Sequence, residues 1–204
     1  CKTHETYRDN GVRVPGGQQR NYFTRDMQIK TASNRIQYTS YDIPYTMENR
    51  LNLYIIGRIL STRYLESIRE REGGSYGVGC AGSLGKLPVP CAQLIMQFDT
   101  DPLKQEKLMS IIHEEVQTII ANGPLATDLQ KEKESMLKDF QENLEQNDWW
   151  MNCIYDYYMW DEDRYTTFRN TVEGITAESV QAMLKQLVDA GNMFEVVMLP
   201  AEAE

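Results

Sequence analysis

The sequence contains few of the side chains that most often bind catalytic metals. It has two histidines, His4 and His113, and four cysteines without a Cys-x-x-Cys pair. A catalytic zinc site takes about three protein ligands, usually including two histidines one helical turn apart. Glu114 follows His113, but Gln117 stands where His-Glu-x-x-His needs its second histidine, and the inverted order His-x-x-Glu-His fails as well. We therefore expect both histidines to be ordinary surface residues and expect no zinc to be bound by this chain alone.

Long apolar runs and a net positive charge are also absent. No stretch approaches the roughly 18 apolar residues that a membrane-spanning helix needs. The net charge of −9 gives no general attraction for a phosphate backbone. We therefore exclude a membrane span and a nucleic-acid partner. Because the first residues lack an initiator Met and an apolar signal-peptide core, we expect a fragment whose targeting signals lie upstream.

Motifs for nucleophilic and phosphate chemistry are missing too. No Gly-x-Ser-x-Gly elbow occurs, and Ser75 has no evident histidine partner. The glycine-rich stretch around Ser75 runs from a predicted helix into a predicted strand, whereas a P-loop runs from a strand into a helix. The four cysteines are interpreted as isolated buried thiols. A disulfide between Cys80 and Cys91 stays open, since a hairpin over residues 76–99 would allow them to face each other.

The chain of 204 residues is long enough for a domain with a buried core. Residues 1–24 are polar and rich in turn formers, which predicts a linker or a partial N-terminal segment. Residues 25–200 form the predicted domain, and residues 201–204 form a frayed tail.

Apolar periodicity and capping residues predict the elements of this domain. They are strands at 27–30 and 35–39, a helix from Met47 to Arg71 capped by Thr46, a hairpin over 75–99, a helix from Asp101-Pro102 to Asn122, a helix opened by a capping box at Thr127–Gln130, a helix from Thr176 to Asp189, and a strand at 194–199. Strand pairs mixed with long helices, without strict βαβ alternation, predict an α+β fold in which helices cover one face of an antiparallel sheet.

Residues 149–168 hold all three tryptophans and four tyrosines. Aromatic residues at helical spacing favour a core or a contact surface over a cofactor cage.

The end of the long helix is distinctive. Residues Ile68-Arg-Glu-Arg-Glu-Gly-Gly-Ser-Tyr-Gly-Val78 resemble the pattern Ile/Leu-Arg-Glu-x-x-Gly-x-x-Tyr-x-Val in C-terminal domains of pitrilysin/insulinase-type zinc peptidases. In that family the pattern spans a helix end and the start of a strand. The lead-in Asp42-Ile-Pro-Tyr-Thr, the stretch Gln97–Pro102 and Gly123-Pro124 are similar as well. The similarity covers roughly residues 25–200.

The resemblance implies a function. Four related domains, in one chain or two paired subunits, enclose a chamber in that family, and the first domain holds zinc through His-x-x-Glu-His. From the other half an arginine and a tyrosine seven positions later reach the peptide substrate, and they map onto Arg69 and Tyr76. Gly73 and Gly74 allow a sharp exit from the helix, and Val78 continues a sheet edge that an extended peptide can join.

The implied parent protein is a zinc-dependent endopeptidase acting on unfolded peptides. Its zinc lies in an upstream half of the same polypeptide or in a paired subunit, and the bacterial periplasm or cell envelope is a candidate compartment. Two alternatives remain. Arg69 can instead pair with Glu66 or Glu72, while Tyr76 is a half-buried strand residue. The whole domain can also be a catalytically inactive scaffold of the same fold, as in core subunits of respiratory complexes.

One departure concerns the N-terminus. The family's domain begins with a strand and a helix, for which residues 1–24 offer no candidate. We therefore expect the first elements to be missing, which would expose a sheet edge and favour dimerisation.

Overall fold

The computed structural model describes residues 8–28, 30–72 and 77–201, and for residues 69–72 it describes the backbone only. In these ranges the chain forms five strands, six α-helices and a short 3₁₀ turn. The strands are β1 (Gln18–Arg25), β2 (Ala32–Ser40), β3 (Val78–Gly85), β4 (Cys91–Thr100) and β5 (Asn192–Pro200). The helices are α1 (Met47–Glu72), α2 (Gln105–Asn122), α3 (Ala126–Asn143), α4 (Asn147–Trp160), α5 (Phe168–Gly174) and α6 (Ala177–Asp189).

The strands form one sheet in the order β1-β5-β2-β4-β3. Every pairing is antiparallel except that of β1 with β5, which is parallel. Buried and partly exposed residues alternate along β2 and β4. Helices α1, α2 and α6 build the core on the buried face, where Ile36, Leu94 and Met96 are fully enclosed. The predicted α+β class is confirmed.

Helix α1 is the central helix of the core, and its start follows from a local cap. Thr46 Oγ1 accepts a hydrogen bond from the Asn49 backbone N–H at 3.1 Å, which satisfies one of the free donors at a helix N-terminus. Leu53, Ile56 and Leu60 lie on its buried side with no exposed surface. The predicted helix from Met47 to Arg71 therefore agrees with α1 to within one residue.

The expectation of a loop over residues 1–24 is wrong for residues 18–24, which belong to β1. All eight residues of β1 are exposed, so the strand has none of the apolar alternation by which strands are recognised in a sequence. Its parallel pairing with β5, from Gln18 opposite Met193 to Arg25 opposite Pro200, forms the strand instead. Strand β1 therefore covers the edge of β5 and is itself the terminal strand on this side of the sheet.

Three further local expectations need correction. Residues 27, 28 and 30 follow β1 and form no strand, and Ile29 lies outside the described residues. Helix α3 begins at Ala126 after Leu125, and no side chain caps it, so Thr127 lies inside the helix rather than at its cap. The hairpin register places Cys80 opposite Met96 and Cys91 opposite Gly85.

This register excludes the Cys80–Cys91 disulfide. The two residues lie five pairs apart along the ladder, roughly 17 Å at 3.4 Å per residue, whereas a disulfide needs Cα atoms about 4.4–6.8 Å apart. Both thiols are free. Burial raises the pKa of the Cys80 thiol well above its ordinary value.

Candidate functional site at the junction of α1 and β3

The predicted substrate-contacting residues lie where α1 ends and β3 begins. Arg69 belongs to the last turn of α1, and its side chain lies outside the described part of the structure. Gly73, Gly74 and Tyr76 fall in the undescribed segment between the helix and the strand. Val78 is the first residue of β3 and turns its side chain into the core, where it is 6% exposed.

Buried ion pairs hold α1 in place up to the turn before Arg69. Arg63 Nε donates to Glu115 Oε2 of α2 at 2.7 Å, and Arg63 Nη1 donates to Asp128 Oδ2 of α3 at 3.4 Å. Ser67 Oγ donates to the other oxygen of Glu115 at 2.6 Å. Because Glu115 is buried, its charge needs these partners. The backbone that leads into Arg69 is therefore fixed by two neighbouring helices.

A second buried pair lies two turns earlier on α1. Arg58 Nε lies 2.5 Å from Glu132 Oε2 of α3, and Arg58 Nη2 donates to Ser135 Oγ at 2.8 Å. Thr62 Oγ1 lies 3.5 Å from the other Glu132 oxygen. Glu132 is buried as well. These contacts attach the middle of α1 to α3.

Two glycines allow α1 to lie directly against β3. A Cβ atom at Gly82 would stand 1.8 Å from the carbonyl oxygen of Leu53, and one at Gly57 would stand 2.4 Å from the Gly82 backbone nitrogen. No side chain fits between these backbones. The helix and the edge strand therefore form one rigid unit whose open end is the junction.

Strand β3 is an edge strand, and α1 caps part of that edge. Ser61 Oγ accepts from the Cys80 N–H at 2.9 Å and donates to the Cys80 carbonyl at 3.0 Å. The Cys80 backbone groups must therefore point away from β4. Residues two apart on a strand present their backbone groups on the same side, so the N–H and C=O of Val78 also point outward. No sequence pattern identified Ser61, because its role depends on how α1 lies on β3.

A hollow on the open face of the sheet begins beside this edge. It measures about 500 Å³ and extends from Gly77 across β4, β2 and β5 to Phe23 of β1. Polar residues line it near Gly77, and apolar residues line it farther away. Its lining includes Arg35, Gln97, Asp99, Val196 and Met198. The hollow thus offers hydrogen-bonding groups and apolar surface next to an open strand edge, which suits an extended peptide.

His113 is not the surface residue that the sequence suggested. Its Nδ1 lies 3.2 Å from the Tyr38 hydroxyl and its Nε2 lies 2.8 Å from Glu195 Oε2. Glu195 is 2% exposed and also accepts a short hydrogen bond from the Tyr22 hydroxyl. Burial raises the pKa of Tyr38 to about 12, and burial together with the Glu195 hydrogen bond raises that of Tyr22 to about 12. Both hydroxyls therefore keep their protons at neutral pH.

The histidine cluster does not fit a zinc ion. Both ring nitrogens of His113 already have hydrogen-bond partners on the protein. Among the residues that the structure describes, no group of three or more His, Cys, Asp or Glu side chains is placed to hold a metal. His4 lies outside them. The cluster instead ties β1, β2, β5 and α2 together.

The aromatic residues near the C-terminal half of the chain form a packed cluster. Phe140 stacks on Phe168 at a centroid distance of 4.6 Å and meets Trp149 edge-on at 5.6 Å. Trp150 and Tyr165 extend the cluster at 5.2 Å. A cleft of about 380 Å³ lies between this cluster, α1 and β3.

The fold of this chain occurs in proteases. The periplasmic protease PqqL from Escherichia coli matches with a TM-score of 0.77 at 18% identity, over 90% of this chain and 21% of that chain. A peptidase M16 inactive domain from Pseudomonas fluorescens matches with a TM-score of 0.72 at 16% identity, over 93% of this chain and 45% of that one. A predicted insulinase family protease from Yersinia pestis matches with a TM-score of 0.65 at 14% identity, over 91% and 43%.

The sequence itself supplies the family. Residues 5–136 match the family described as the peptidase M16 inactive domain, and the chain belongs to that family. The resemblance to a C-terminal, pitrilysin-type peptidase domain is therefore confirmed. No curated protein matches. The chain spans only about a fifth to less than half of the solved relatives, and no described helix has the length and apolar character for a membrane span.

Proposed function

We propose that this chain closes the peptide-binding chamber of a zinc-dependent endopeptidase from its C-terminal half, and that a different domain carries the zinc. The observation that carries the proposal is the edge of β3 at Val78, with which no described strand pairs on its outer side. This edge lies beside a peptide-sized hollow and directly after the predicted Arg69–Tyr76 segment. Membership of a peptidase family supports the same conclusion.

The proposed roles follow from side-chain chemistry. An arginine at position 69 can hold a substrate carbonyl with several fixed donors. The Tyr76 hydroxyl can donate a hydrogen bond to the oxygen that becomes negative as the peptide carbonyl is attacked. Gly73 and Gly74 let the substrate backbone approach closely. The outward backbone groups of Val78 then pair with an extended peptide as an added strand.

The proposed partners are an unfolded peptide and the zinc-binding half of the enzyme, either in the same polypeptide or in a paired subunit. Support comes from the solved relatives, of which this chain covers 21% to 45%. Because PqqL is described as periplasmic, we place the parent enzyme in the bacterial periplasm or cell envelope.

The test is Tyr76→Phe in the peptidase assembled with its zinc-binding half. We expect kcat to fall by about 100-fold, because removing one oxyanion donor has an effect of this order, with little change in KM. Cleavage of an unfolded fluorogenic peptide measures both constants. Tyr54→Phe, on α1 and away from the junction, is the matched control.

An unchanged kcat in the Tyr76→Phe enzyme would remove this residue from the site. A complete assembly that cleaves no peptide would instead favour the scaffold function. The purified 204-residue chain should neither cleave peptides nor bind stoichiometric zinc, and chelator-sensitive cleavage by that chain would contradict the proposal.

A further inference from the structure

Helix α4 presents large apolar side chains to solvent at regular helical spacing. Met151, Ile154, Tyr155 and Tyr158 follow the positions i, i+3, i+4 and i+7 and are 65%, 50%, 54% and 70% exposed. This spacing is the usual pattern of a helix face that packs against a partner. These four residues are called the outward stripe of α4.

The opposite side of α4 already packs against the protein. Cys153 and Asp156 are buried there, and Trp149 and Trp160 are half-buried. The helix is therefore attached through one face while its larger apolar surface stays uncovered by the described chain. Exposed apolar surface of this kind marks an interaction site. Three neighbours widen it, namely Trp150, Tyr157 and Met159.

The charge around the stripe indicates the chemistry of the partner. Residues 139–163 contain eight Asp or Glu and no Lys, Arg or His. Asp148 lies in the first turn of α4, while Asp161 and Asp163 follow its last turn. All three are exposed, and none has an ion-pair partner among the described residues. Exposed carboxylates thus flank both ends of the apolar stripe, although Asp163 also accepts hydrogen bonds from Tyr165 and Thr166 of its own loop.

At the C-terminal end of α4, a lysine of this chain contacts the ring of the last helical residue. Lys86 Nζ lies 5.2 Å from the ring centroids of both Tyr45 and Trp160. It also donates a hydrogen bond to the Trp160 carbonyl at 3.2 Å. Aromatic faces attract cations in this geometry. Trp160 belongs to the attached face of α4, and its ring is already covered by Lys86. The outward stripe offers its own exposed rings, Tyr155 and Tyr158, beside apolar side chains and carboxylates, which together favour a cationic and apolar ligand.

A second copy of this chain fits the surface poorly. A two-fold interface places the same patch on both copies, which would bring the two acidic regions together. Like charges across an interface disfavour association. Charge complementarity instead selects a segment that carries Lys or Arg beside apolar side chains.

We propose that the outward stripe of α4 binds a basic amphipathic segment of a peptide substrate, at a distance from the scissile bond. Its apolar side chains lie on the stripe, and its cationic side chains meet Asp148 at one end and Asp161 and Asp163 at the other. The assignment of this segment to a substrate rests on the proposed peptidase function, whereas the binding itself does not.

Fluorescence anisotropy with the purified chain tests the proposal. Two synthetic amphipathic peptides share the same apolar residues, and one carries Lys and Arg where the other carries Glu. We expect the basic peptide to bind and to bind less tightly as salt is raised, and the acidic peptide not to bind. Equal binding of both peptides, or binding of neither, would overturn the proposal.

Variants locate the binding surface. Tyr155→Ser combined with Tyr158→Ser should weaken binding of the basic peptide about tenfold or more, because large aromatic side chains dominate such contacts. Asp148→Asn combined with Asp161→Asn should weaken it severalfold at low salt only. Leu103→Ser removes an exposed apolar side chain elsewhere, one that is 95% exposed, and should leave the Kd unchanged.

Further outcomes distinguish substrate binding from self-association, and this inference from the proposed function. Sedimentation equilibrium that shows a dimer, lost in the Tyr155→Ser/Tyr158→Ser variant, would assign the stripe to self-association and overturn the proposal. Binding of the basic peptide to α4 in a complete assembly that cleaves no peptide would refute only the proposed function. Cleavage that depends on Tyr76 without any binding to α4 would refute only this inference.

Discussion

Helices α1 and α4 differ in how much of their surface the rest of the domain covers. Helix α1 buries arginine–glutamate pairs and packs its backbone against β3. Helix α4 buries little more than Cys153 and Asp156 and exposes methionine, isoleucine and tyrosine. The buried contacts of α1 make the domain rigid next to the proposed site, whereas the exposed side chains of α4 leave a surface for another molecule.

The largest predicted effect comes from separating α1 and β3. Gly82→Ala should lower the free energy of unfolding by about 4 kcal/mol or prevent folding, because the new methyl group collides with the Leu53 carbonyl. Gly79→Ala on the same strand is the matched control, since nothing lies within 4 Å of its added Cβ. Urea unfolding followed by circular dichroism measures both. Similar losses in the two variants would mean that the close contact is unimportant.

A smaller loss should follow from breaking the polar contacts of α1. Glu115→Ala leaves Arg63 without its closest partner and removes the acceptor of Ser67, so we expect a loss of about 3 kcal/mol. Glu142→Ala breaks the exposed pair with Lys138 and should change the unfolding free energy by less than about 0.5 kcal/mol. Urea unfolding measures both variants. Equal losses in Glu115→Ala and Glu142→Ala would mean that the buried ion pair stabilises the fold no more than the exposed one.

The smallest effect is predicted on α4. Met151→Ala should change the unfolding free energy by less than about 0.5 kcal/mol, because its side chain is 65% exposed. Met136→Ala on α3 makes the same change at a side chain that is 4% exposed, and should cost about 2–3 kcal/mol. Thermal and urea unfolding measure both variants. A large loss for Met151→Ala would show that the outward stripe is part of the core.

Much of the helical structure followed from local sequence signals. Thr46 caps α1, Asp101 accepts from the Leu103 N–H at 2.9 Å, and Thr176 forms a capping box with Ser179. Each of these contacts joins residues at most three positions apart, so the residue types alone predict them. The expectation at Thr127 failed because the helix begins directly after Leu125, without a side-chain cap.

Long-range contacts were not predictable in this way. Strand β1 is exposed on both faces and exists through its pairing with β5, more than 170 residues away by the Gln18–Met193 register. His113 meets Glu195 from 82 positions away, and neither residue lies in a recognisable motif. The proposed site also combines residues that the sequence predicted with a feature that only long-range contacts define. The sequence motif indicated Arg69 and Tyr76, while the position of the open edge depends on the Ser61–Cys80 contact.

The sequence by itself determined helices α1, α2, α3 and α6, the caps at Thr46 and Thr176, and the family to which this domain belongs, because these depend on residue types at short spacing. Only the tertiary structure decided which strand forms the far edge, that Cys80 and Cys91 are apart, and that α1 caps part of β3. It also decided that the apolar residues of α4 face outward. The physical reason is that burial and strand pairing depend on distant parts of the chain, which local patterns do not encode.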